Sequence, residues 1–339
     1  MAHNLSSDNL GYNVALRKPA WHNLGVVFSD SPDLVEAFSR ARLNYNLELV
    51  VSQFEYKGKM YKAEKSRQIV REPIEYDDDI VTGDPISLGE VSKDYYILQN
   101  SFLAEAFNSL SKRWPVESAG ALGSGEKIFW TLDAGMVEIN GQEVHQYFTG
   151  TDNKTGEEKT TFLYSPTVVV CQNTMLMATK SAVFTMNIRH SKGNEVVIRK
   201  VAGLADRMQA GVDQTNTIFA DMGKAKFSID DFRELLKYEL YPEPEVKPNV
   251  MEIGGNGLID VTKEISAMKE HQEACVSVMS RYNDEHSNNA NTPWAGLMAV
   301  TEYEEHIRQG RGVGNYSNVM FGARSQIIKN AFAKLSVIS

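Results

Sequence analysis

The segment with the strongest chemical character covers residues 167–174, where an apolar β-branched run ends in a cysteine, two carboxamides and a threonine. This pattern predicts a strand that delivers thiol, amide and hydroxyl groups to one end of a sheet. Cys171 is a candidate nucleophile, with His190 as its base and Asn173 as the group that orients the imidazole. The competing interpretation is a small core residue, because Cys171 directly follows three valines.

Other polar residues extend this hypothesis to an enzyme pocket whose reaction the sequence does not name. Carboxamides at strand ends and in a second polar cluster make up the predicted polar pocket: Gln99, Gln172, Asn173 and Asn187. Glu117, Cys171 and His190 are the candidate catalytic residues, with Glu117 or His190 as the acid–base group. Arg189 would hold an anionic substrate. Whether the protein is an enzyme stays open at this point.

Two basic segments point to a different function, although a net charge of −9 argues against coating nucleic acid by bulk positive charge. The first combines cations that are opposed only by Glu195: Lys180, Arg189, Lys192, Arg199 and Lys200. The second, residues 306–339, has no acidic residue and mixes cations with aromatic residues. Arg189, Lys192, Arg199 and Lys200 are predicted to contact phosphates, with Trp114 or Tyr96 stacking on bases. The competing interpretation is that these charges lie on solvated helix faces.

Two common site types are excluded by their spacing. The glycine-rich run 120–127 fails as a phosphate-binding loop, because Glu126 separates the last glycine from Lys127 and a strand follows. Histidine and cysteine are scattered, and His271 with Cys275 offers only two ligands, whereas zinc needs three or four. The sequence therefore predicts no metal site, and it indicates no cofactor.

Composition predicts an ordinary globular protein without a membrane span. The chain has 339 residues, 42% of them hydrophobic, and no apolar run approaches the roughly 20 residues that a membrane helix needs. The first nine residues are polar and do not resemble a signal peptide. The two cysteines lie far apart, which is typical of a reducing compartment. We expect a cytoplasmic protein, which would lie in the cytoplasm of the host cell if a phage encodes it.

The pattern of elements predicts an α+β fold, with an antiparallel β-rich N-terminal half followed by a mostly helical C-terminal half. Asp30-Ser31-Pro32 indicates the start of a short helix, and Lys57-Gly58 the turn of a hairpin. A strand over 91–100 precedes an amphipathic helix, and a meander follows with Asn140-Gly141 at one turn.

The second half reads as a series of helices. Ser228 and Asp231 indicate a helix start, and a proline-rich linker is predicted at 241–257. Helices are expected over about 261–282, 294–308 and 318–335. We therefore expect a β-rich core at 1–195 and a helical region at 196–339, which either forms a second domain or packs on the core.

Several motifs resemble those of the uncharacterised phage/plasmid-like protein family, a domain of unknown function. They are spread along most of the chain: residues 20–25, 96–100, 117–122, 169–174 and 292–306. The resemblance implies a protein of a mobile genetic element and transfers no activity. The order of hairpin, helix, meander and helix also resembles, more loosely, the β-rich cores of Rad52-like phage annealing proteins.

Three functions remain open from the sequence. The leading hypothesis is a protein that binds or anneals single-stranded nucleic acid in phage or plasmid DNA metabolism and recombination. Its expected partners are single-stranded DNA and further copies of the chain, without a membrane. The alternatives are an enzyme with a polar pocket around Cys171 and His190, and a non-catalytic oligomeric or host-interaction protein.

Overall fold

The computed structural model describes residues 6–8, 11–17, 25–73, 75–76, 79–80, 84–168, 173–174, 185–244, 262–282, 290–308 and 323–338. Antiparallel sheets occupy mainly the N-terminal half and helices the C-terminal half, which confirms the predicted α+β class.

The strands in chain order are β1 (Ser7–Asp8), β2 (Gly11–Tyr12), β3 (Val14–Leu16), β4 (Val26–Val27), β5 (Leu47–Tyr56), β6 (Lys59–Arg71), β7 (Glu75–Tyr76), β8 (Asp79–Ile80), β9 (Ile86–Ser92), β10 (Val116–Leu122), β11 (Lys127–Ile139), β12 (Gln142–Asn153), β13 (Thr160–Val168), β14 (Asn173–Thr174) and β15 (Thr185–Ile188). The helices are α1 (Leu34–Arg40), α2 (Asn100–Ser111), α3 (Asn194–Arg199), α4 (Ala205–Lys224), α5 (Ile229–Leu235), α6 (Thr262–Tyr282), α7 (Pro293–Glu302) and α8 (Ala323–Leu335). A 3₁₀ turn (Val201–Leu204) precedes α4, and π-helical turns extend α5 (Leu236–Leu240) and α7 (Tyr303–Ile307).

The largest sheet has eight strands in the order β14-β13-β12-β11-β10-β3-β4, and β15 also pairs with β13. A separate three-stranded sheet has the order β5-β6-β9, and β1-β2 and β7-β8 form two small pairs. Consecutive strands in these sheets pair antiparallel, whereas β3 and β4 pair in parallel. Most of the architecture therefore consists of hairpins, which need only short connections.

The hairpin between β11 and β12 forms at the predicted Asn140-Gly141 turn. Both residues have positive φ, +48° and +85°, as a type I′ turn requires. Strand β11, which leads into this turn, is continuous from Lys127 to Ile139. Gly135 stays in the strand at a φ of +105°, and its N–H donates to the Asp133 carboxylate at 2.9 Å.

Two predicted boundaries near α1 and α2 are wrong. Asp33 caps α1 by accepting from the Glu36 N–H at 2.9 Å, so the helix starts after Pro32 rather than with it in the first turn. The strand predicted over 91–100 ends at Ser92, and the following residues lie outside any strand until α2 begins at Asn100. The backbone between β9 and α2 instead forms hydrogen bonds with side chains, such as the bond from Lys154 to the Leu98 carbonyl.

The chain divides into two compact units that alternate along the sequence. The first comprises residues 1–135, 145–165 and 182–212, and the second comprises 136–144, 166–181 and 213–339. The boundaries of these two units are defined by which residues pack together. The predicted boundary between residues 195 and 196 was based on the composition of the sequence instead. Strands β11, β12 and β13 contribute residues to both units.

Aromatic rings fill the core of the first unit. The Trp130 ring packs on Phe107 at 5.1 Å, and Phe107 on Phe162 at 4.7 Å between ring centroids. Gly150 makes room for this arrangement, because a Cβ there would lie 2.0 Å from the Trp130 ring. The core thus requires glycine at the centre of β12.

The second unit has its own aromatic core. Phe232 lies 4.2 Å from Tyr282, and Phe219 lies 5.1 Å from Trp294, between ring centroids. The turn of the β11–β12 hairpin belongs to this unit, where the Asn140 amide donates to the Gly223 carbonyl at 2.6 Å. Helices α5 and α7 begin at capping side chains, and the predicted Ser228 cap of α5 is confirmed, accepting from the Asp231 N–H at 3.1 Å.

Candidate functional site

A buried polar cluster surrounds Asp152 at the end of β12 in the first unit. Its Oδ1 accepts hydrogen bonds from His190 Nε2 at 2.9 Å and from the Thr160 hydroxyl, while its Oδ2 forms an ion pair with Lys154. On the far side of the imidazole, the Tyr95 hydroxyl bonds to Nδ1. These five residues, Tyr95, Asp152, Lys154, Thr160 and His190, are called the relay cluster below.

Strand pairing brings the members of the relay cluster together. Asp152 and Thr160 flank the loop between β12 and β13, and β15 pairs with β13 so that Thr160 faces Ile188. His190 follows β15 by two residues and therefore reaches the same carboxylate. The same loop passes close to Gly89 of β9, where a Cβ would lie 2.4 Å from the Thr155 carbonyl oxygen. Tyr95 lies three residues after the end of β9.

Charge neutralisation keeps Asp152 ionised although it is fully buried. Burial alone would raise its pKa, but the positive charge of Lys154 and the hydrogen bond from His190 outweigh burial and lower the pKa to about 2. Lys154 is also buried, and burial lowers its pKa despite the opposing effect of Asp152. The Lys154 ammonium also donates to the Leu98 carbonyl at 2.7 Å. Leu98 lies in the segment between β9 and α2, where the backbone belongs to no strand.

The ionised carboxylate fixes the direction of its hydrogen bond with the imidazole. An ionised Asp152 can only accept, so Nε2 of His190 donates to it, and the Tyr95 hydroxyl bonds to Nδ1 on the other side of the ring. Burial, together with the negative charge of Asp152, raises the pKa of Tyr95, so the phenol keeps its proton. The resulting chain of carboxylate, imidazole and phenol can pass a proton to or from Tyr95.

Gln99 is not available in a pocket. Its amide donates to the Leu47 carbonyl at 2.7 Å and accepts from the Leu47 N–H at 3.1 Å, which fixes the start of β5. The neighbouring Asn100 is fully buried and donates to the Leu43 carbonyl at 2.8 Å. Both amides therefore connect α2 to the chain before β5.

Glu117 lies in a different polar group from His190. The Glu117 carboxylate forms an ion pair with Arg17 at 2.6 Å, and Arg17 also pairs with Asp133. Within the described part of the chain, the hydrogen-bond and ion-pair partners of Glu117 and those of His190 have no member in common. The structure does not bring these two candidate acid–base groups together.

The remaining pocket residues fall into three places. Cys171 and Gln172 lie outside the described residues. Asn173 lies on β14 in the second unit. Asn187 is exposed on β15, where its Oδ1 accepts from the Thr161 hydroxyl at 2.9 Å across the strand pair. The predicted pocket around Cys171 therefore stays a prediction.

The predicted phosphate contacts lie on one segment of the first unit, residues 189–200, which is called the basic segment below. Arg189, Lys192 and Lys200 are exposed and, among the described residues, have no ion-pair partner. Arg199 is the last residue of α3. The segment's carboxylate, Glu195, accepts from the hydroxyl of the half-buried Tyr96.

Trp114 cannot stack on a base as predicted, because it is a core residue with only 3% of its surface exposed. Its ring packs on Phe148 at 4.6 Å between centroids, and the Arg113 guanidinium covers it at 5.2 Å. The Trp114 ring is part of the core of the first unit.

Most of the described cations of the second basic segment form ion pairs or hydrogen bonds within the second unit. Arg308 pairs with the buried Glu304 at 3.1 Å, and the buried Arg324 donates to the Glu304 carbonyl at 3.2 Å. Lys334 pairs with Glu239, and Phe332 is buried. Among the described cations of the two segments, Arg308 and Lys334 are exposed but ion-paired, whereas Arg189, Lys192 and Lys200 are exposed without an ion-pair partner.

Sequence reasoning identified His190 but missed Tyr95, Asp152, Lys154 and Thr160. Residues 151–156 have the composition of a solvated turn, so the sequence does not indicate that the charges of Asp152 and Lys154 are buried. Among the described residues, no group of three or more histidine, cysteine or acidic side chains could hold a metal ion. In the same part of the chain, no helix is long and apolar enough to cross a membrane.

These features describe an α+β protein with a buried carboxylate–imidazole–phenol chain beside a basic surface segment. The chain belongs to the DUF932 family, a domain of unknown function, whose model matches residues 87–331. The match includes the whole relay cluster and the basic segment, and it begins after β5 and β6. No curated protein and no solved structure matches the chain.

Proposed function

We propose that this protein binds single-stranded nucleic acid and anneals complementary strands in phage or plasmid DNA metabolism. The observation that carries the proposal is the exposure of Arg189, Lys192 and Lys200 without ion-pair partners among the described residues. Cations that the fold has not neutralised are available to phosphates, and each contact releases a condensed counterion.

The relay cluster supports this role by fixing the basic segment. His190 is held on both ring nitrogens, so the backbone between Arg189 and Ser191 is anchored in the interior. The Asn194 amide further closes the turn by donating to the Arg189 carbonyl at 2.6 Å. A surface whose backbone is already ordered loses less entropy on binding than a mobile loop.

The resemblance to phage/plasmid-like proteins supports the mobile-element setting, and the loose resemblance to annealing cores supports the strand-annealing activity. Annealing brings two strands onto neighbouring binding surfaces, so we also propose a homo-oligomer. The partners are then single-stranded DNA and further copies of the chain.

The test is fluorescence anisotropy with single-stranded and duplex DNA of equal length across a salt series, with light scattering on the same samples. We expect a salt-sensitive preference for single strands, and weaker binding by the double charge reversal Arg189→Glu/Lys192→Glu. The matched control is the double charge reversal Lys226→Glu/Lys237→Glu in the second unit, which changes the net charge by the same amount as Arg189→Glu/Lys192→Glu. Glu157→Lys/Glu158→Lys would change the net charge in the opposite direction and is therefore not used. Equal binding by the Arg189/Lys192 variant and the wild type would remove the basic segment as the binding surface.

The relay cluster favours an enzyme as the second candidate function. The hydrogen-bonded chain of Tyr95, His190 and Asp152 is a general-base arrangement, because Tyr95 can pass its proton to His190 Nδ1 while the ionised Asp152 stabilises the charge that develops on the imidazole. The test is a screen of chromogenic phosphodiesters and esters with wild type and Tyr95→Phe, which keeps the ring and removes the hydroxyl. Turnover that disappears in Tyr95→Phe at unchanged thermal stability would support the enzyme, and turnover equal in both proteins would exclude Tyr95 as a catalytic group.

A further inference from the structure

The tip of the β5–β6 hairpin exposes aromatic side chains that a globular core normally hides. Phe54, Tyr56 and Tyr61 are 52%, 55% and 45% exposed. All residues from 53 to 62 are exposed, so this tip stands clear of the described parts of the first unit. Clustered exposed apolar surface of this kind marks an interaction site.

The strand register places the three rings on one face of the hairpin. Phe54 pairs with Tyr61 and Tyr56 pairs with Lys59, so these four side chains lie on the same side. The other face carries the alternate residues of the same strands: Gln53, Glu55, Met60 and Lys62. Within residues 53–62 the aromatic face thus has lysine and no carboxylate, because the acidic residue of the tip lies on the opposite face.

The rings are arranged before any ligand arrives. Phe54 and Tyr61 stack at 5.8 Å with planes 24° apart, and Tyr56 meets the edge of Tyr61 at 6.5 Å. The turn residues Lys57 and Gly58 adopt positive φ of +51° and +74°, which closes a tight two-residue turn. The Lys57 ammonium lies 5.3 Å from the centre of the Tyr56 ring.

We infer that this face, consisting of Phe54, Tyr56, Lys57, Lys59 and Tyr61, is a stacking platform for unpaired nucleic-acid bases. The inference deepens the proposed function and rests on it. Single-stranded nucleic acid has the two properties that the face complements, which are flat apolar base surfaces and phosphates at regular intervals. In a duplex the base surfaces are already stacked on one another and cannot reach the rings. The lysines favour a polyanion over an apolar protein surface.

The experiment compares a twenty-nucleotide oligothymidine with an abasic strand of the same length, which has equal phosphates but no bases. The stacking variant is Phe54→Ala/Tyr61→Ala, and the matched control is Glu55→Ala/Met60→Ala on the opposite face. We expect the wild type to prefer oligothymidine. The stacking variant should lose on the order of ten-fold or more in affinity for oligothymidine and little for the abasic strand. The control variant should discriminate between the two strands as the wild type does.

Salt dependence separates stacking from charge. The stacking variant should keep the wild-type slope of log affinity against log salt, because it loses no cation. Lys57→Ala/Lys59→Ala should reduce that slope by about 1.4, since each contact with a single strand contributes about 0.7.

Each failure has a distinct signature. If the stacking variant binds oligothymidine like the wild type while Arg189→Ala/Lys192→Ala binds weakly, the proposed function stands and the platform is overturned. If the wild type binds neither strand at low salt, both fall. If light scattering shows that the stacking variant dissociates an oligomer while affinity per subunit is unchanged, the face joins copies of this chain, and the platform is likewise overturned.

Discussion

Asp152 and Lys154 are opposite charges that are both buried, 0% and 2% exposed, and joined directly. Removing one partner leaves the other charge without compensation in the interior. We expect Asp152→Asn to lower the free energy of unfolding by roughly 3–5 kcal/mol. Urea unfolding followed by circular dichroism would measure this.

The double variant Asp152→Leu/Lys154→Met is the control, because it removes both charges and keeps similar volume. Its loss of stability should be smaller than that of Asp152→Asn, since replacing a whole buried pair is often close to neutral. A double variant less stable than the single one would show that packing or the His190 bond, not charge pairing, dominates here.

The lowered pKa of Asp152 predicts a loss of stability in acid. The folded value of about 2 lies below the value of about 3.9 in the unfolded chain, so the unfolded state binds the proton first as the pH falls. The contribution is complete above about pH 5 and disappears as the pH approaches 2, with a size of roughly 2–3 kcal/mol. The gap in stability between wild type and Asp152→Leu/Lys154→Met should narrow over that interval. A constant gap from pH 5 to pH 2 would contradict the ionised state of Asp152.

At this scale the sequence pointed to one member of the relay cluster and to none of its partners. His190 drew attention because it lies in a polar run after an apolar strand. Asp152 and Lys154 lie in a run that has the composition of an exposed turn, and their burial depends on the β13–β15 pairing and on the segment after β9. Pairing between residues 28 or more positions apart in sequence, such as Thr160 and Ile188, is not encoded in local pattern.

Among the elements, β9 approaches the loop that carries Lys154 so closely that only glycine fits at position 89. A Cβ there would lie 2.4 Å from the Thr155 carbonyl oxygen, and backbone cannot move aside as a side chain can. Gly89→Ala should therefore destabilise the first unit by about 1–3 kcal/mol. Gly203→Ala is the control, since a Cβ at that position meets no atom within 4 Å. Thermal unfolding of the two variants would compare them, and equal melting temperatures would count against the close approach.

The start of α5 offers a test in the second unit. Ser228 accepts from the Asp231 N–H at 3.1 Å and so satisfies one of the free amides of the first turn. Ser228→Ala should cost about 1 kcal/mol, whereas Ser228→Thr keeps the oxygen and should cost less. Chemical denaturation of both variants measures the difference. Equal losses would mean that the hydroxyl does not act as a cap.

Helices and tight turns were largely predictable, because their signals are local. The type I′ turn at Asn140-Gly141, the cap at Ser228 and the helix ending at Tyr282 follow from a few neighbouring residues. The boundary of β9 was not predictable in this way, since residues 95–99 have strand-like composition yet use their backbone for side-chain contacts such as Lys154 to Leu98.

For the molecule as a whole, the net charge and the basic segment predict opposite effects on DNA binding. A protein of net charge −9 should repel DNA at long range, whereas the basic segment should bind it locally. Arg189, Lys192 and Lys200 should contribute about −2 to the slope of log affinity against log salt for single strands, in addition to the contribution of Lys57 and Lys59. Arg189→Ala/Lys192→Ala should make that slope less steep by about 1.4. A slope near zero for the wild type would mean that phosphates are not the ligand.

The alternation of the two units along the chain also sets the order in which they can be completed during synthesis. All segments of the first unit have been made once residue 212 is added, whereas residues 136–144 of the second unit must wait for 213–339. At elongation speeds of about 5–20 residues per second, that wait lasts roughly 10–40 s. For roughly the first 4–16 s of it, the Asn140-Gly141 turn is present without Gly223, its partner in the second unit. The nascent chain therefore carries an unfinished hairpin end, and a slow ribosome or a premature stop would leave it open to chaperones.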